Sequence, residues 1–330
     1  MTDVINDRAV VLDAIRQHHH TDNPSAFLAL NSGNEIFTRP GLDGVIVYRR
    51  TGRYLVQFGG PFAAPEVCGS LQRAFLESAT AEGRQIVAVQ VQGADAHAFL
   101  DLGFTVNQMG ASFAKELAGF SLSGTRFMRL RNKISRALRS GLTITEAPLA
   151  DWHDAMLALD TNWLSIKGER QLEFLVGEYG GPFQHLRRLF VGTINGELAG
   201  YISYSPVYGT RPGWMHDLSR RQPDTIPGVM EAINRAAIEV FQSEQAPWLH
   251  FGFTPFTELT GQPSFPGQSR AFHWFMEHLW AHGEAVYPAQ SQFAYKQKWA
   301  PNVVLPEYVA FQHGASIPAQ VHIFRACGAV

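Results

Sequence analysis

Apolar positions recur with two periods along this chain, and the alternation between them outlines its elements. Val4, Ile5, Val11, Leu12 and Ile15 fall at helical spacing and predict an amphipathic helix over residues 4–18. Residues 44–58 crowd apolar side chains on both sides of Gly52, which predicts two strands around a turn. A helix over 66–82, a strand over 86–92, a short helix over 95–102 and an extended run over 103–117 follow. Strands mixed with helices in this order predict an α/β or α+β layered fold.

Residues 126–140 carry a different pattern. Phe127, Leu130, Ile134, Ala137 and Leu138 form an apolar stripe at i, i+3, i+4 spacing, and Gly141 supplies a stop. The rest of that helix is basic: Arg126, Arg129, Arg131, Lys133, Arg136 and Arg139, with no acid among them. Acids at i, i+4 would normally pair such a face, so their absence favours contact with a phosphate backbone over a merely solvated surface.

Beyond Gly141 the two periods alternate again. A strand over 142–145 and a helix over 151–167 precede a hairpin, whose Asn195-Gly196 turn between alternating strands is the strongest local signal in the chain. A strand then approaches Asp217, a loop spans 220–228, and a helix over 227–244 leads to a strand over 248–253 and a helix over 269–282. A helix that starts just after a strand offers unpaired N–H groups and a positive dipole end, where phosphates bind. Acetyl-CoA enzymes place a short glycine-punctuated loop there. This loop has Arg220, Arg221, Pro223 and Pro227 but only Gly228, which suits a larger anionic donor. Further on, alternation predicts Lys296 and Lys298 on one strand face, as a phosphate site would need. Phe251, Phe253, Phe256, Phe265 and Phe272 read as core.

Composition narrows the classes. The 330 residues suggest two domains, and 45% hydrophobic against 17% charged residues describes an ordered globular chain. With 27 basic and 29 acidic residues, any nucleic-acid contact must come from a local patch. Cys68 and Cys327 lack ligand-like spacing, so neither a disulfide framework nor a metal site is expected, and a reducing cytoplasm fits. His18, His19 and His20 read as solvated helix surface. No run reaches bilayer length, the N-terminus lacks a signal-peptide core, and neither a Gly-x-Ser-x-Gly elbow nor a phosphate-loop motif occurs. No cofactor is expected.

The segment Asp217-Leu218-x-Arg220-Arg221-x-Pro223-Asp224-x-x-x-Gly228-x-Met230-Glu231 resembles the signature of the soluble catalytic region of lysyl-phosphatidylglycerol synthases, the multiple peptide resistance factor family. Gly59-Gly60-Pro61, Leu102-Gly103-Phe104, Ser121 to Gly124, the basic run, Trp163-Leu164-x-x-Lys167-x-x-Arg170, Phe251 to Phe256 and Lys296-x-Lys298-Trp299-x-Pro301 fall in the family's order. The resemblance spans about 24–311. It implies two tandem acetyltransferase-like (GNAT) domains, 1–125 and 142–330, joined by the basic helix 126–141. It also implies an aminoacyl-tRNA donor, contacted by that helix.

On this resemblance Asp217 binds the donor's α-ammonium or orients the acceptor, and Arg220 holds the terminal phosphate or ribose. His216 departs from the small hydroxyl residue usual in the family; it is a candidate base or a filler of the aminoacyl pocket. Lys167, Glu169, Arg221, Lys296 and Lys298 are candidates for substrate binding. Glu307 stands where the family tends to carry arginine. With that departure and no membrane-spanning run, the expected acceptor is a small soluble hydroxyl, hydroxylamine or amine, as in natural-product biosynthesis, with at most weak membrane-surface contact. Aminoacylation of phosphatidylglycerol by a peripheral enzyme, acyl-CoA N-acylation and a non-catalytic tRNA-binding module stay open as alternatives.

Overall fold

A computed structural model describes residues 2–18, 22–167, 173–181, 183–259, 265–284 and 287–328. The chain begins with helix α1 (Thr2–Gln17) and a 3-10 turn at Ala26–Leu30. Strands β1 (Glu35–Arg39), β2 (Leu42–Thr51) and β3 (Tyr54–Ala63) follow, then α2 (Pro65–Ala81), β4 (Gln85–Val91), α3 (Gly93–Leu100) and β5 (Thr105–Glu116). The basic helix is α4 (Met128–Arg139). The second half runs β6 (Leu142–Ala147), α5 (Leu149–Lys167), β7 (Arg188–Ile194), β8 (Glu197–Val207), β9 (Gly213–Arg221), α6 (Val229–Ser243) and β10 (Trp248–Pro255). It closes with α7 (Arg270–His282), α8 (Ala289–Gln297), β11 (Val303–Phe311) and α9 (Ile317–Ala326). The hairpin at Asn195-Gly196 forms as expected: both residues have positive φ, at 53° and 85°, which suits the twist of β7 and β8.

The fold is mixed α/β around one large sheet, with strands in the order β1-β2-β3-β4-β11-β5-β10-β9-β8-β7-β6. Each half contributes antiparallel strands followed by a strand–helix–strand crossover to a parallel neighbour: β3-α2-β4 in the first, β9-α6-β10 in the second. The halves then exchange strands. β11, from the end of the chain, lies between β4 and β5, while β5 pairs with β10 of the second half. Residues 303–311, grouped by sequence with the second domain, therefore complete the first half of the sheet.

Both faces of the sheet are covered, which explains why β3 is buried along its whole length. Helices α2, α3, α4, α6 and α8 pack on one face through the clusters around Phe75 and around Phe241. Helices α1, α7 and α9 and the 3-10 turn pack on the other, through the cluster that contains Phe27, Phe58, Phe174 and Met215. Among the described residues, no helix is long and apolar enough to cross a membrane.

Candidate active site

Strands β9 and β10 are hydrogen-bonded only from Gly213–Met215 to Trp248–His250. Beyond that point β9 stays with β8 and β10 follows β5, so the sheet opens at the carboxyl ends of two parallel strands. Crevices of this kind are where open α/β sheets bind ligands. The opening coincides with a bulge in β9: Leu218 faces Ser203 and His216 faces Tyr204, which leaves Asp217 without a partner residue. Bulges re-aim side chains and cluster next to active sites. Asp217 thus lies inside a strand, not at its end as the sequence suggested.

The Asp217 carboxylate accepts a hydrogen bond from Arg187 Nε at 3.0 Å, and the two side chains are only 1% and 3% exposed. Burial raises the Asp217 carboxyl; Arg187 and the Ser205 hydroxyl oppose that rise. The Arg187 guanidinium stacks on Phe27 of the first half, 4.7 Å from the ring centre. A strap, residues 173–181, closes the site from above. A Cβ on Gly177 would overlap the Asp217 carboxylate. The strap is tied to the first half by Asn31 Nδ2 to Val176 O at 2.8 Å, Ser32 N to Glu178 Oε1 at 2.8 Å, and Arg49 Nη1 to Glu173 Oε2 at 2.8 Å.

Arg220 and Arg221 belong to β9, so the connecting loop is shorter than the sequence suggested. The Arg220 guanidinium lies 4.6 Å over the Trp163 ring and near Asp160, which accepts hydrogen bonds from Tyr201 at 2.6 Å and Tyr179 at 3.3 Å. Burial raises the Asp160 carboxyl against these partners. Sequence reasoning missed Asp160 and Arg187. Asp160 is one of three acids in the helix pattern and lies on its buried side with Met156 and Leu159, and Arg187 is one of two adjacent arginines. Their strand alternation sends Arg188 to Glu146 and Glu244 on the far side. Arg221 is exposed and donates to the carbonyls of Gln222 and Pro223, 3.3 and 3.1 Å away.

His216 lies on the opposite face, between Tyr204 and Tyr295. Burial and the nearby Lys296 lower it to about 3, so it does not titrate near neutrality as expected from its type. Lys296 and Lys298 are not on a strand face: Lys296 lies in the last turn of α8 and Lys298 caps it. Lys296 Nζ is buried and donates to the carbonyls of Gly252 and Phe253, at 2.7 and 3.0 Å, which bridges the strand opening from below. Burial brings it down to about 7, with Glu307 acting the other way. Glu307 is fully buried in β11, bonded by the Ser112 hydroxyl, and raised by burial to about 7, so this position meets no surface phosphate. Lys167 ends α5; Glu169 lies outside the described residues, as do Arg170, His19 and His20.

The basic helix divides. Leu130, Ile134 and Ala137 are buried, while Arg126, Arg129, Arg136 and Arg139 are exposed. Arg131 instead holds the carbonyls of Leu122 and Gly124, and Lys133 pairs with Glu231 of α6 at 2.7 Å. The start of α6 is no open phosphate cradle. Gly228, with φ of 108°, packs against the Lys133 carbonyl, where a Cβ would overlap it.

Residues 13–311 match the family described as phosphatidylglycerol lysyltransferase, C-terminal. The chain belongs to this family. It is 22% identical to a phosphatidylglycerol lysyltransferase of Staphylococcus epidermidis over 315 residues, covering 92% of this chain and 36% of that protein. It thus spans about a third of the length of that curated relative. In structure it resembles L-PGS from Bacillus licheniformis, with a TM-score of 0.80 at 18% identity over 97% of this chain and 96% of that one. It also resembles a C-terminal domain from Agrobacterium fabrum, with a TM-score of 0.78 at 20% identity over 99% of both.

Proposed function

We propose that this family member transfers an aminoacyl group from aminoacyl-tRNA to a hydroxyl of phosphatidylglycerol. The observation that carries the reading is the coincidence of the family match with Asp217 at the strand opening, unpaired in its ladder and buried. The relatives' names favour the lipid acceptor over the small soluble acceptor expected from the sequence. An aminoacyl ester is already activated, so the site must align the nucleophile, stabilise an oxyanion and move one proton. Asp217 receives the donor's α-ammonium; Arg220, braced by Trp163, receives a phosphate or the ribose of the tRNA end. The exposed Arg126, Arg129, Arg136 and Arg139 contact tRNA phosphates, in keeping with a reaction on the cytoplasmic side. The two crossover units support a tandem GNAT-like duplication, 1–125 and 142–330 around the helix 126–141, with β11 and β5 exchanged.

The test is turnover of a panel of radiolabelled aminoacyl-tRNAs with phosphatidylglycerol vesicles, with products separated by thin-layer chromatography. Labelled lipid is the expected product, and Asp217→Asn cuts its formation about a hundredfold, as for loss of a charge that binds the reacting group. Turnover with an acyl-CoA and none with any charged tRNA would sink the reading. A labelled soluble acceptor in place of lipid would return the acceptor to a small molecule.

A further inference from the structure

The buried Arg187–Asp217 pair is half satisfied. Arg187 Nε and Asp217 Oδ2 bond each other, but Arg187 Nη2 and Asp217 Oδ1 have no hydrogen-bond partner among the described residues. Both side chains are almost wholly shielded from water. An unpaired polar atom in such a place is costly, so one donor and one acceptor left open on a single ion pair call for a ligand that supplies both complements. The Ser203 hydroxyl on the adjoining strand is unpartnered as well, while that of Ser205 stands against the Asp217 carboxylate. Phe27 lies against the Arg187 guanidinium, and Gly177 of the strap lies against the Asp217 carboxylate.

An α-aminoacyl ester has that complement. Its ammonium donates and its carbonyl oxygen accepts, a few bonds apart. We propose that Arg187 is a second anchor of the donor, with Nη2 bound to the ester carbonyl oxygen while Asp217 Oδ1 takes the α-ammonium. This rests on the transferase reading above. In the transfer, the acceptor hydroxyl oxygen forms a bond to the carbonyl carbon, and the carbonyl electron pair moves onto its oxygen beside Nη2. Collapse of that oxyanion breaks the bond to the ribose oxygen, which leaves with the proton the acceptor gives up. A guanidinium N–H already in place and already desolvated strengthens as the negative charge forms, so it acts chiefly on the rate. Neither Lys nor Gln can replace it: Lys lacks the rigid second N–H, and Gln lacks the charge that opposes the burial-driven rise of the Asp217 carboxyl.

The experiment compares wild type, Arg187→Lys and Arg187→Gln with charged tRNA and phosphatidylglycerol vesicles, after circular dichroism has shown which variants fold. Arg187→Lys is expected to lower kcat about tenfold to a thousandfold with little change in KM for the donor, in the range for loss of one oxyanion donor. Arg187→Gln is expected to lower kcat and raise KM as well, because Asp217 then loses its counter-charge. A purely structural role for Arg187 would show as lost stability with kcat per folded molecule retained. If a folded variant of either kind keeps the wild-type kcat, the inference falls while the transferase reading stands. If the wild type transfers from no charged tRNA, the reading falls and takes the inference with it.

Discussion

Lys133 of the basic helix and Glu231 of α6 form an ion pair of 2.7 Å, and the same Glu231 oxygen receives Lys298 at 2.9 Å. Two lysines singled out as ligand contacts are therefore joined through one nearly buried carboxylate, and they pin α4 and the end of α8 to α6. Burial would raise Glu231, but the two ammonium groups hold it below the usual carboxylate value. A depressed carboxylate stabilises the fold above its unfolded value of 4.5 and loses that contribution as pH falls through the folded value.

That division of the helix separates two kinds of variant. Lys133→Ala is expected to lower unfolding stability by roughly 1 kcal/mol, the scale of one charged hydrogen bond on a partly exposed pair. It should leave the salt dependence of tRNA binding as it was. Joint replacement of Arg129, Arg136 and Arg139 by Ala should do the reverse: melting hardly moves, and the slope of log K against log salt falls by about 0.7–0.9 per lost phosphate contact. Filter binding over a salt series reads the slope, and an unchanged slope would make these arginines plain solvated surface.

Gly228 makes the packing of α4 on α6 possible. Its φ of 108° is open to few L side chains, and a Cβ there overlaps backbone, which cannot swing aside. Gly228→Ala should destabilise by about 1–3 kcal/mol from strain alone, measured by urea unfolding. A variant as stable as wild type would show that α6 can start elsewhere.

Much of this architecture was legible in residue patterns because the signals were local. The basic helix, the Asn195-Gly196 hairpin and the β9–loop–α6–β10 order all follow from spacing over fewer than about twenty residues. What escaped was non-local. The insertion of residues 303–311 between β4 and β5 depends on pairings across the whole chain, which a strand's own pattern does not encode. Lys296-x-Lys298 reads as strand alternation, yet the run ends a helix, because burial of Phe293 and Tyr295 on the cluster around Phe241 outweighs the local pattern. Asp217 was found as a motif residue, but its partner Arg187 lies 30 positions away, and only the bulge brings them together.

Two histidines give a pH signature. His216 is lowered to about 3 and His250 to about 4, both mainly by burial. A histidine held neutral in the fold but free to protonate when unfolded contributes stability that is present above about 6.5 and lost as pH falls toward the folded value. Stability should therefore decline between about pH 6.5 and 4, and His216→Asn should flatten part of that decline. Urea titrations of both proteins at several pH values test this. Equal slopes would mean that His216 binds protons alike in the folded and unfolded chain.

Gly177 tests whether the strap must lie tight on Asp217. Its backbone needs no unusual φ, so Gly177→Ala changes one thing: the added methyl group occupies space the Asp217 carboxylate now fills. Either the carboxylate turns away from Arg187 or the strap lifts from the first half. Lifting must break the bonds of Asn31 to Val176 and Ser32 to Glu178. Both outcomes misplace a reacting group by about 1 Å, a shift that can cost a hundredfold in rate. The stability loss should stay within the roughly 1–3 kcal/mol typical of overpacking. Transfer from charged tRNA is therefore expected to fall far more than the folded fraction does, read by single-turnover kinetics beside thermal melting. If folded Gly177→Ala transfers at the wild-type rate, Asp217 does its work without the strap in place, and the closed arrangement of residues 173–181 is not the form that reacts.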